Sequence, residues 1–300
     1  MYDLIVIGGG PAGLTATIYA IRKRLNVLMV SRDLGGKTNY RLSLPWIEEY
    51  QVIRGLETVV KFRNELEYLD FARKLEKVEL VTRENEHFIV HTKEGNEYAA
   101  KAIIVATGAR QSLLRVPGEE RFMMRGLCYS AVSYAPLFID RTVTVIGDSD
   151  LALKSAAELA LVAKHVNLVG PTQPVLESPL GTKLNNAENV SVYKDYELVE
   201  VRGGSFAESV LVQSPTGSQQ EIFSDGAFIE QRLNPNTGIL GDLVNLDEKG
   251  QIIVDCQART STPGIFAAGD VTTTAEQVLI AIGEGAKAAL SAYDYLLPRL

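Results

Sequence analysis

Glycines near the start of the chain form a pattern that can bind phosphate. Glycine lets the backbone turn tightly and approach a pyrophosphate, and the helix that follows directs unpaired N–H groups and a partial positive charge at the anion. This stretch therefore predicts a dinucleotide-binding site. The pattern is G-x-G-x-x-G, with Gly8, Gly10 and Gly13 as its glycines and Pro11 and Ala12 inside it.

The elements on either side of these glycines are suited to that chemistry. Residues 3–7 form a short apolar run typical of a buried parallel strand, and the apolar residues of 11–24 recur at helical spacing. Residues 26–30 then give a second strand, so the three elements predict a βαβ unit. The position for a ribose-binding acid at the end of the second strand holds Ser31, and Asp33 is interpreted as a loop charge.

The rest of the chain predicts further α/β structure. A second buried strand followed by glycine and a long apolar helix repeats the βαβ opening. We expect a functional loop over 31–49, a helix over 55–69, antiparallel strands over 76–105, a strand over 142–146, a helix over 151–164, strand-like segments up to Ile229 and a closing helix over 277–296.

Composition excludes several classes of protein. The chain has 300 residues, 46% of them hydrophobic, and a formal net charge of -7. Such an acidic chain lacks the clustered cations that a nucleic-acid partner requires. No apolar run reaches the roughly 20 residues of a membrane span, so we expect a cytoplasmic protein. Cys128 and Cys256 are interpreted as buried small hydrophobes, and the three histidines show no metal-ligand spacing.

Two further turns accompany the first glycine motif in a fixed order. Thr107-Gly108 follows an apolar run, and Gly269-Asp270 ends a later one. With Gly35-Gly36-Lys37 and Pro235-Asn-Thr237, this series resembles the two-dinucleotide-domain flavoproteins, and specifically the low-molecular-weight thioredoxin reductases, whose GGQ turn is similar to Gly35-Gly36-Lys37. The similarity covers the whole chain.

The resemblance implies an α/β fold with two Rossmann-like three-layer dinucleotide-binding domains, the second inserted in the first. Residues 1–115 and 243–300 would bind FAD, and residues 116–242 would form the second domain. Asp270 would hold the flavin ribityl chain, and Gln277 and Val278 would lie over the isoalloxazine at the amino end of the last helix. Relatives are homodimers, so we expect a homodimer here.

The residues expected to carry out disulfide exchange in that family are replaced. The Cys-x-x-Cys positions hold Ser130 and Ser133. Serine cannot supply the thiolate or the reversible S–S bond that this chemistry needs. Cys128 is two positions away and has no second thiol nearby in sequence, so we expect it to be inert.

The second glycine motif also departs from the family pattern. Residues 147–152 read Gly-Asp-Ser-Asp-Leu-Ala, with one glycine where relatives have three small residues. Two carboxylates beside a pyrophosphate would repel it. The next strand ends at Val169 and runs into Gly-Pro-Thr-Gln, without the arginines that relatives use for the 2′-phosphate. We therefore expect that NADPH is not bound in the ordinary way.

These observations leave three hypotheses. The first is an FAD-dependent oxidoreductase fed by ferredoxin or by a second flavin, with Tyr129 and Tyr134 as stacking candidates or core residues. The second is a non-catalytic protein that binds a flavin or a partner. The third is a thioredoxin reductase whose two active cysteines have been engineered to Ser130 and Ser133, which predicts disulfide reductase activity once the cysteines are restored.

Overall fold

The computed structural model describes residues 1–50 and 55–300, without the side chains of residues 48–50 and 132. The chain divides into two compact units by its internal contacts. The first unit comprises Met1–Asn39, Ile53–Arg110 and Asn234–Leu300, and the second comprises Tyr40–Val52 and Gln111–Leu233. The structure therefore places unit boundaries near Arg110 and Asn234. The sequence predicted the domain boundaries a few residues later, after residues 115 and 242.

The strands of the described residues are numbered in chain order. They are β1 Tyr2–Ile7, β2 Val27–Val30, β3 Leu42–Leu44, β4 Ile47–Tyr50, β5 Arg73–Lys74, β6 Val78–Glu84, β7 His87–Thr92, β8 Glu97–Val105, β9 Ala109–Arg110, β10 Leu127–Cys128, β11 Thr142–Ile146, β12 His165–Val169, β13 Val190–Tyr193, β14 Glu197–Arg202, β15 Ser209–Gln213, β16 Gln219–Phe223, β17 Gly226–Ile229, β18 Asn234–Pro235 and β19 Ile265–Ala267.

The helices are numbered in the same way, and short 3-10 turns lie between them. The α-helices are α1 Pro11–Arg22, α2 Leu56–Tyr68, α3 Glu119–Phe122, α4 Ala131–Tyr134, α5 Asp150–Ala160, α6 Gln173–Leu176, α7 Pro179–Asn185 and α8 Val278–Leu296; the 3-10 turns are Gly36–Asn39, Asp70–Ala72, Ala135–Phe138, Gly238–Leu240 and Leu297–Arg299.

The first unit has a seven-stranded sheet in the order β5-β2-β1-β8-β7-β6, with β19 also paired to β8. The second half of β8 lies parallel between β1 and β19, and its first half pairs antiparallel with β7. Helices α1 and α8 cover one face of the parallel strands, and residues of β6 and β7 join the core on the other face. The result is a three-layer arrangement.

Strand β1 shows why this sheet is buried on both faces. Its side chains alternate, so that Leu4 and Val6 pack in the core under α1 and α8, while Ile5 and Ile7 pack in the opposite core. Burial of each such side chain stabilises the fold by roughly 1.5–3 kcal/mol. A continuous apolar run is what two buried faces require.

The second unit has a five-stranded parallel sheet in the order β10-β17-β11-β12-β13. Residues of α4, α5 and α7 share a core with one face of this sheet. The antiparallel strands β14, β15 and β16 share a second core with the other face. The α/β fold class and the Rossmann-like three-layer units predicted from the sequence are therefore confirmed.

Three details differ from the sequence-based expectations. The segment 31–49 is not entirely loop, because β3 and β4 pair within it. The helix expected to reach residue 164 ends at Ala160, where the chain turns back toward β12. The strand-like interpretation missed α6 and α7, both of which begin with a proline near their first position. Within the described residues, no helix is long and apolar enough to cross a membrane.

Candidate functional site

The glycine turn after β1 is closed on the protein side by backbone contacts. A Cβ on Gly8 would lie 2.2 Å from the carbonyl oxygen of Ala106, and Gly8 has a positive φ of 114°. A Cβ on Gly13 would lie 1.8 Å from the carbonyl oxygen of Gly8. Real Cβ atoms do not approach so closely, so both positions require glycine for packing between β1, β8 and α1.

Gly10 differs from these two glycines, because a Cβ placed on it would meet no atom within 4 Å. Its φ of -72° suits any residue. The protein itself therefore does not require glycine at this position. Open space beside the turn is what the close approach of a pyrophosphate to the backbone needs.

Helix α1 begins at this open turn. Gly10 is its N-cap and gives no side-chain capping bond, Pro11 occupies the first helical position, and no acidic residue lies in the first turn. The first N–H groups of a helix lack partners inside the helix and carry a partial positive charge. This twelve-residue helix thus directs free donors at the open side of the turn.

The loop after β2 folds onto the glycine turn. The Gly35 N–H donates to the carbonyl oxygen of Gly9 at 2.7 Å. The Asp33 carboxylate accepts the N–H of Gly36 at 2.9 Å, so Asp33 has a structural task and is not only a loop charge. The Ser31 hydroxyl donates to the Asp33 carbonyl at 2.8 Å and lies beside Gly9. The structure thus brings Ser31 to the edge of the turn.

The Thr107-Gly108 turn is tied to the segment around Asn236. The Thr107 hydroxyl donates to the Asn236 carbonyl at 2.8 Å, and the Asn236 amide donates back to the Thr107 carbonyl at 2.9 Å. The Asn236 N–H donates to the Gly108 carbonyl at 2.9 Å. A Cβ on Gly108 would meet no atom within 4 Å. This turn is therefore held rigidly, and it also presents open backbone.

The Gly269-Asp270 turn contacts the same helix start. A Cβ on Gly269 would lie 3.0 Å from the Cβ of Ala12. The Gly269 N–H donates to the carboxylate of Glu284, a buried residue of α8, at 2.9 Å. The Thr274 hydroxyl donates to the same Glu284 oxygen at 3.0 Å. Sequence reasoning did not assign this role to Glu284.

Helices α1 and α8 approach each other closely below these turns. A Cβ on Gly285 would lie 2.1 Å from the carbonyl oxygen of Ala12. Helix α8 begins at Val278 after the N-cap residue Gln277, which makes no side-chain capping bond and is exposed. The amino ends of α1 and α8 therefore both belong to the unit that carries the glycine turn.

Lys37 and Asp270 form an ion pair at this site. The Nζ of Lys37 lies 2.6 Å from Oδ2 of Asp270. The Asp270 side chain is 15% exposed and that of Lys37 is 41% exposed. The pair links two positions that the sequence had assigned independently to cofactor binding.

The two serines at the Cys-x-x-Cys positions lie in the second unit at the start of α4. The Ser130 hydroxyl donates to the Ser133 hydroxyl at 3.2 Å, and both side chains are half-buried. Tyr134 is buried in the core of this unit, and burial raises its pKa to about 12. Tyr134 is thus a core residue.

The two cysteines have different surroundings. Cys128 is fully buried, and burial, together with the charge of Glu230, raises the pKa of its thiol. The prediction that it is a buried small residue is confirmed, and a thiol of this kind is a poor nucleophile. The same prediction was wrong for Cys256, which is exposed in the turn that precedes Arg259. Both cysteines are free.

Glu230 is a buried carboxyl that sequence reasoning missed. It follows β17 and is only 3% exposed. Its Oε1 accepts the backbone N–H of Ala131 in α4 at 2.9 Å. Burial raises its pKa to about 7, and nearby Glu158 adds to that rise, whereas the hydrogen bonds from Ala131 and Ser155 oppose it.

Gly147 in the second glycine turn packs closely against its neighbours, as Gly8 does in the first turn. A Cβ on Gly147 would lie 2.7 Å from the carbonyl oxygen of Glu230 and 2.8 Å from the Cβ of Ala152. The turn continues through Asp148 into Asp150, the first residue of α5, and both carboxylates are exposed. The start of α5 thus carries negative charge where the start of α1 carries none. Within the described part of the chain, no cluster of His, Cys, Asp and Glu could hold a metal ion.

Comparison with known proteins identifies the class. Residues 2–285 match the family described as "Pyridine nucleotide-disulphide oxidoreductase", so the chain belongs to that family. It is 36% identical over 307 residues to a component of the alkyl hydroperoxide reductase of Pseudomonas aeruginosa, with 99% of this chain and 58% of that protein covered. The chain thus spans a little over half the length of the curated relatives that it matches.

Two solved structures are similar over nearly the whole chain. The thioredoxin reductase from Streptococcus pyogenes is 33% identical, with a TM-score of 0.86 and 99% of both chains covered. The ferredoxin-flavin thioredoxin reductase from Clostridium acetobutylicum is 27% identical, with a TM-score of 0.50 and with 99% of this chain and 98% of that chain covered. The similarity to thioredoxin reductases inferred from the sequence motifs is therefore confirmed at the level of family and fold.

Proposed function

We propose that this chain is an FAD-dependent oxidoreductase whose flavin binds to the first unit. The observation that carries the proposal is the contrast among the glycines of one turn. Gly8 and Gly13 are closed by the protein, whereas Gly10 faces open space at the uncapped start of α1. Family membership and the similarity to a ferredoxin-flavin thioredoxin reductase support the same cofactor.

The residues present suit each part of FAD. The backbone around Gly10, Pro11 and Ala12 would hold the pyrophosphate, and Ser31 would lie at the adenosine ribose. Asp270 would hold the ribityl chain. The remaining candidates would line the rest of the cofactor: Gly35, Gly36, Lys37, Thr107, Gly108, Gly269, Gln277 and Val278.

When bound, FAD supplies the two-electron redox chemistry, and the protein sets its position and potential. The start of α8 at Gln277 and Val278 would place a partial positive charge near the cofactor, which favours its reduced anionic form. Glu284 fixes the Gly269 turn, and Asn236 fixes the Thr107-Gly108 turn. The side chains therefore act by holding the cofactor.

We further propose that NADPH is not the physiological electron donor. The exposed carboxylates of Asp148 and Asp150 would repel a pyrophosphate at the second glycine turn. The second unit would then bind a different ligand, such as a second flavin, or serve as the docking site of a small redox protein such as ferredoxin.

An internal disulfide is also not part of this proposal. Ser130 and Ser133 cannot exchange disulfides, and the thiol of Cys128 is buried with a raised pKa. Electrons would pass directly between the flavin and an external partner. We expect a homodimer in the cytoplasm by analogy with the thioredoxin reductases.

The test is to measure flavin content and to identify the reductant. The purified protein would be titrated with NADPH and NADH while the visible flavin spectrum is followed, and the photoreduced protein would then be mixed with ferredoxin, flavodoxin, quinone or oxygen. The proposal predicts no reduction by stoichiometric NADPH and fast electron exchange with one of the other partners. Rapid bleaching by NADPH would contradict it.

The same experiment separates the second candidate, a non-catalytic flavin-binding protein. The unusual second unit favours this candidate, because its expected nucleotide and disulfide residues are both replaced. If every acceptor reoxidises the bound flavin no faster than it reoxidises free FAD, the result would support the non-catalytic binding protein. It would contradict the oxidoreductase.

A further inference from the structure

The Lys37–Asp270 ion pair joins two loops at the edge of the glycine turn. Gly36, the residue before Lys37, would place a Cβ 3.2 Å from the Cα of Gly10. Gly269, the residue before Asp270, contacts the first turn of α1. Each charged side chain therefore starts one residue away from a direct contact with the proposed cofactor cradle.

The pair is held in place on both sides. The Lys37 loop is fixed by the bond from the Gly36 N–H to Asp33. The Gly269 turn is fixed by the bond from its N–H to Glu284. Both backbone segments are thus anchored, and the Lys37 ammonium lies 2.6 Å from the Asp270 carboxylate.

The charges around the pair make Lys37 important to the electrostatics of this site. Glu276 lies close enough that the charges of Lys37 and Asp270 both influence its pKa. Burial raises that pKa, the charge of Asp270 adds to the rise, and the charges of Lys37 and Lys249 oppose it. Lys37 thus offsets the charge of Asp270, with which it forms an ion pair at 2.6 Å.

We propose that Lys37 is a charge-tuning residue that raises the reduction potential of the bound flavin. The inference rests on the proposed FAD function. Uptake of two electrons and one proton converts neutral oxidised flavin into an anion, and a fixed cation nearby stabilises the added negative charge. The GGQ turn of thioredoxin reductases, which this segment resembles, has an uncharged glutamine at the position of Lys37.

The test is the midpoint potential of FAD bound to the full chain, measured by equilibration with redox dyes under dithionite or photoreduction. K37Q removes the charge and restores the glutamine of relatives. The side chain of Lys37 is 41% exposed, so its replacement leaves no buried cavity. We expect a more negative potential, equivalent to about a tenfold weaker preference for reduced flavin, or about 30 mV for a two-electron couple.

Matched variants give the sign of the effect. K37R keeps the charge and should leave the potential close to that of the wild type. D270N removes the opposing carboxylate and should shift the potential in the positive direction. The midpoint potential of the double variant K37Q/D270N should lie between those of the two single variants, because one positive and one negative charge are then both removed.

The outcomes distinguish this inference from the proposed function. A wild-type chain that binds no FAD overturns both. If FAD binds normally and has the same midpoint potential in the wild type, K37Q and K37R, the tuning role alone is overturned. A shift of the midpoint potential in the same direction in K37Q and D270N also overturns it. Opposite shifts with unchanged K37R support it.

Discussion

The carboxylate of Glu230 accepts the backbone N–H of Ala131 at 2.9 Å, although the two residues are 99 positions apart. The bond connects the end of β17 to α4, the short helix that carries Ser133. Because Glu230 is almost fully buried, its ionised form is costly and its pKa rises to about 7. Its protonation state therefore changes near neutral pH.

This relationship predicts a pH dependence of stability. The pKa of Glu230 is raised from 4.5 to about 7 in the folded chain. Its contribution is therefore fully present below pH 4.5 and is lost as pH rises through 7, a loss of roughly 2–4 kcal/mol in the free energy of unfolding. Urea unfolding of wild type and E230Q at pH 5 and pH 8 checks this. The wild type should lose stability relative to E230Q at pH 8, and an equal difference at both pH values would contradict the account.

Substitution of Gly10 by alanine should separate cofactor binding from folding. Its Cβ would meet no protein atom within 4 Å and its φ is negative, so G10A should unfold within about 0.5 kcal/mol of the wild type. The methyl group would occupy the space that the pyrophosphate needs, and FAD affinity should fall at least tenfold, roughly 1.4 kcal/mol. Fluorescence titration of the apoprotein with FAD measures this.

The matched control for G10A is G204A in the second unit. Gly204 is exposed and its added Cβ would lie 3.6 Å from the Glu208 carboxylate, an ordinary contact. G204A should leave both stability and FAD affinity unchanged. If G10A binds FAD as tightly as the wild type does, the cofactor does not bind at the open side of the turn.

Glu284 should be important for the stability of the first unit. E284A removes the acceptor of the Gly269 N–H and of the Thr274 hydroxyl in a buried location. The loss of a buried acceptor should cost roughly 1–3 kcal/mol, and FAD affinity should fall because the turn that carries Asp270 loses its support. Denaturant unfolding with and without FAD measures both effects. E284Q keeps an acceptor oxygen and should be milder than E284A.

Replacement of Ser130 and Ser133 by cysteine should not produce a thioredoxin reductase. In S130C/S133C the two thiols would occupy the positions of hydroxyls 3.2 Å apart, so a disulfide is sterically feasible after small adjustment. NADPH-driven reduction of an added disulfide should remain absent, because Asp148 and Asp150 place exposed carboxylates beside the second glycine turn. Robust NADPH-dependent turnover would instead support the hypothesis that the serines replaced active cysteines.

The local features of this protein were predictable from its sequence. The glycines of the first turn follow from steric rules that act within a few residues, and β1 follows from an apolar run that must be buried on both faces. The ends of helices were less predictable. Helix α5 stops at Ala160 because the chain must return to β12, and this requirement is set by tertiary structure.

The contacts between residues that are distant in sequence could not be predicted in the same way. Nothing near Glu230 in sequence indicates that it accepts from Ala131, and nothing near Lys37 indicates that it pairs with Asp270. The apolar residues that precede Glu230 predict a buried strand, so a carboxyl at its end was the available signal. The partner of that carboxyl depends on how β17 and α4 pack.

The most direct test of the central claim is the flavin content of the purified wild-type chain after denaturation, compared with that of G10A. The proposed function predicts one FAD for each wild-type chain, or two flavins if the second unit also binds one, and a strong loss in folded G10A. A correctly folded wild-type protein that is colourless and takes up no added FAD would contradict the central claim.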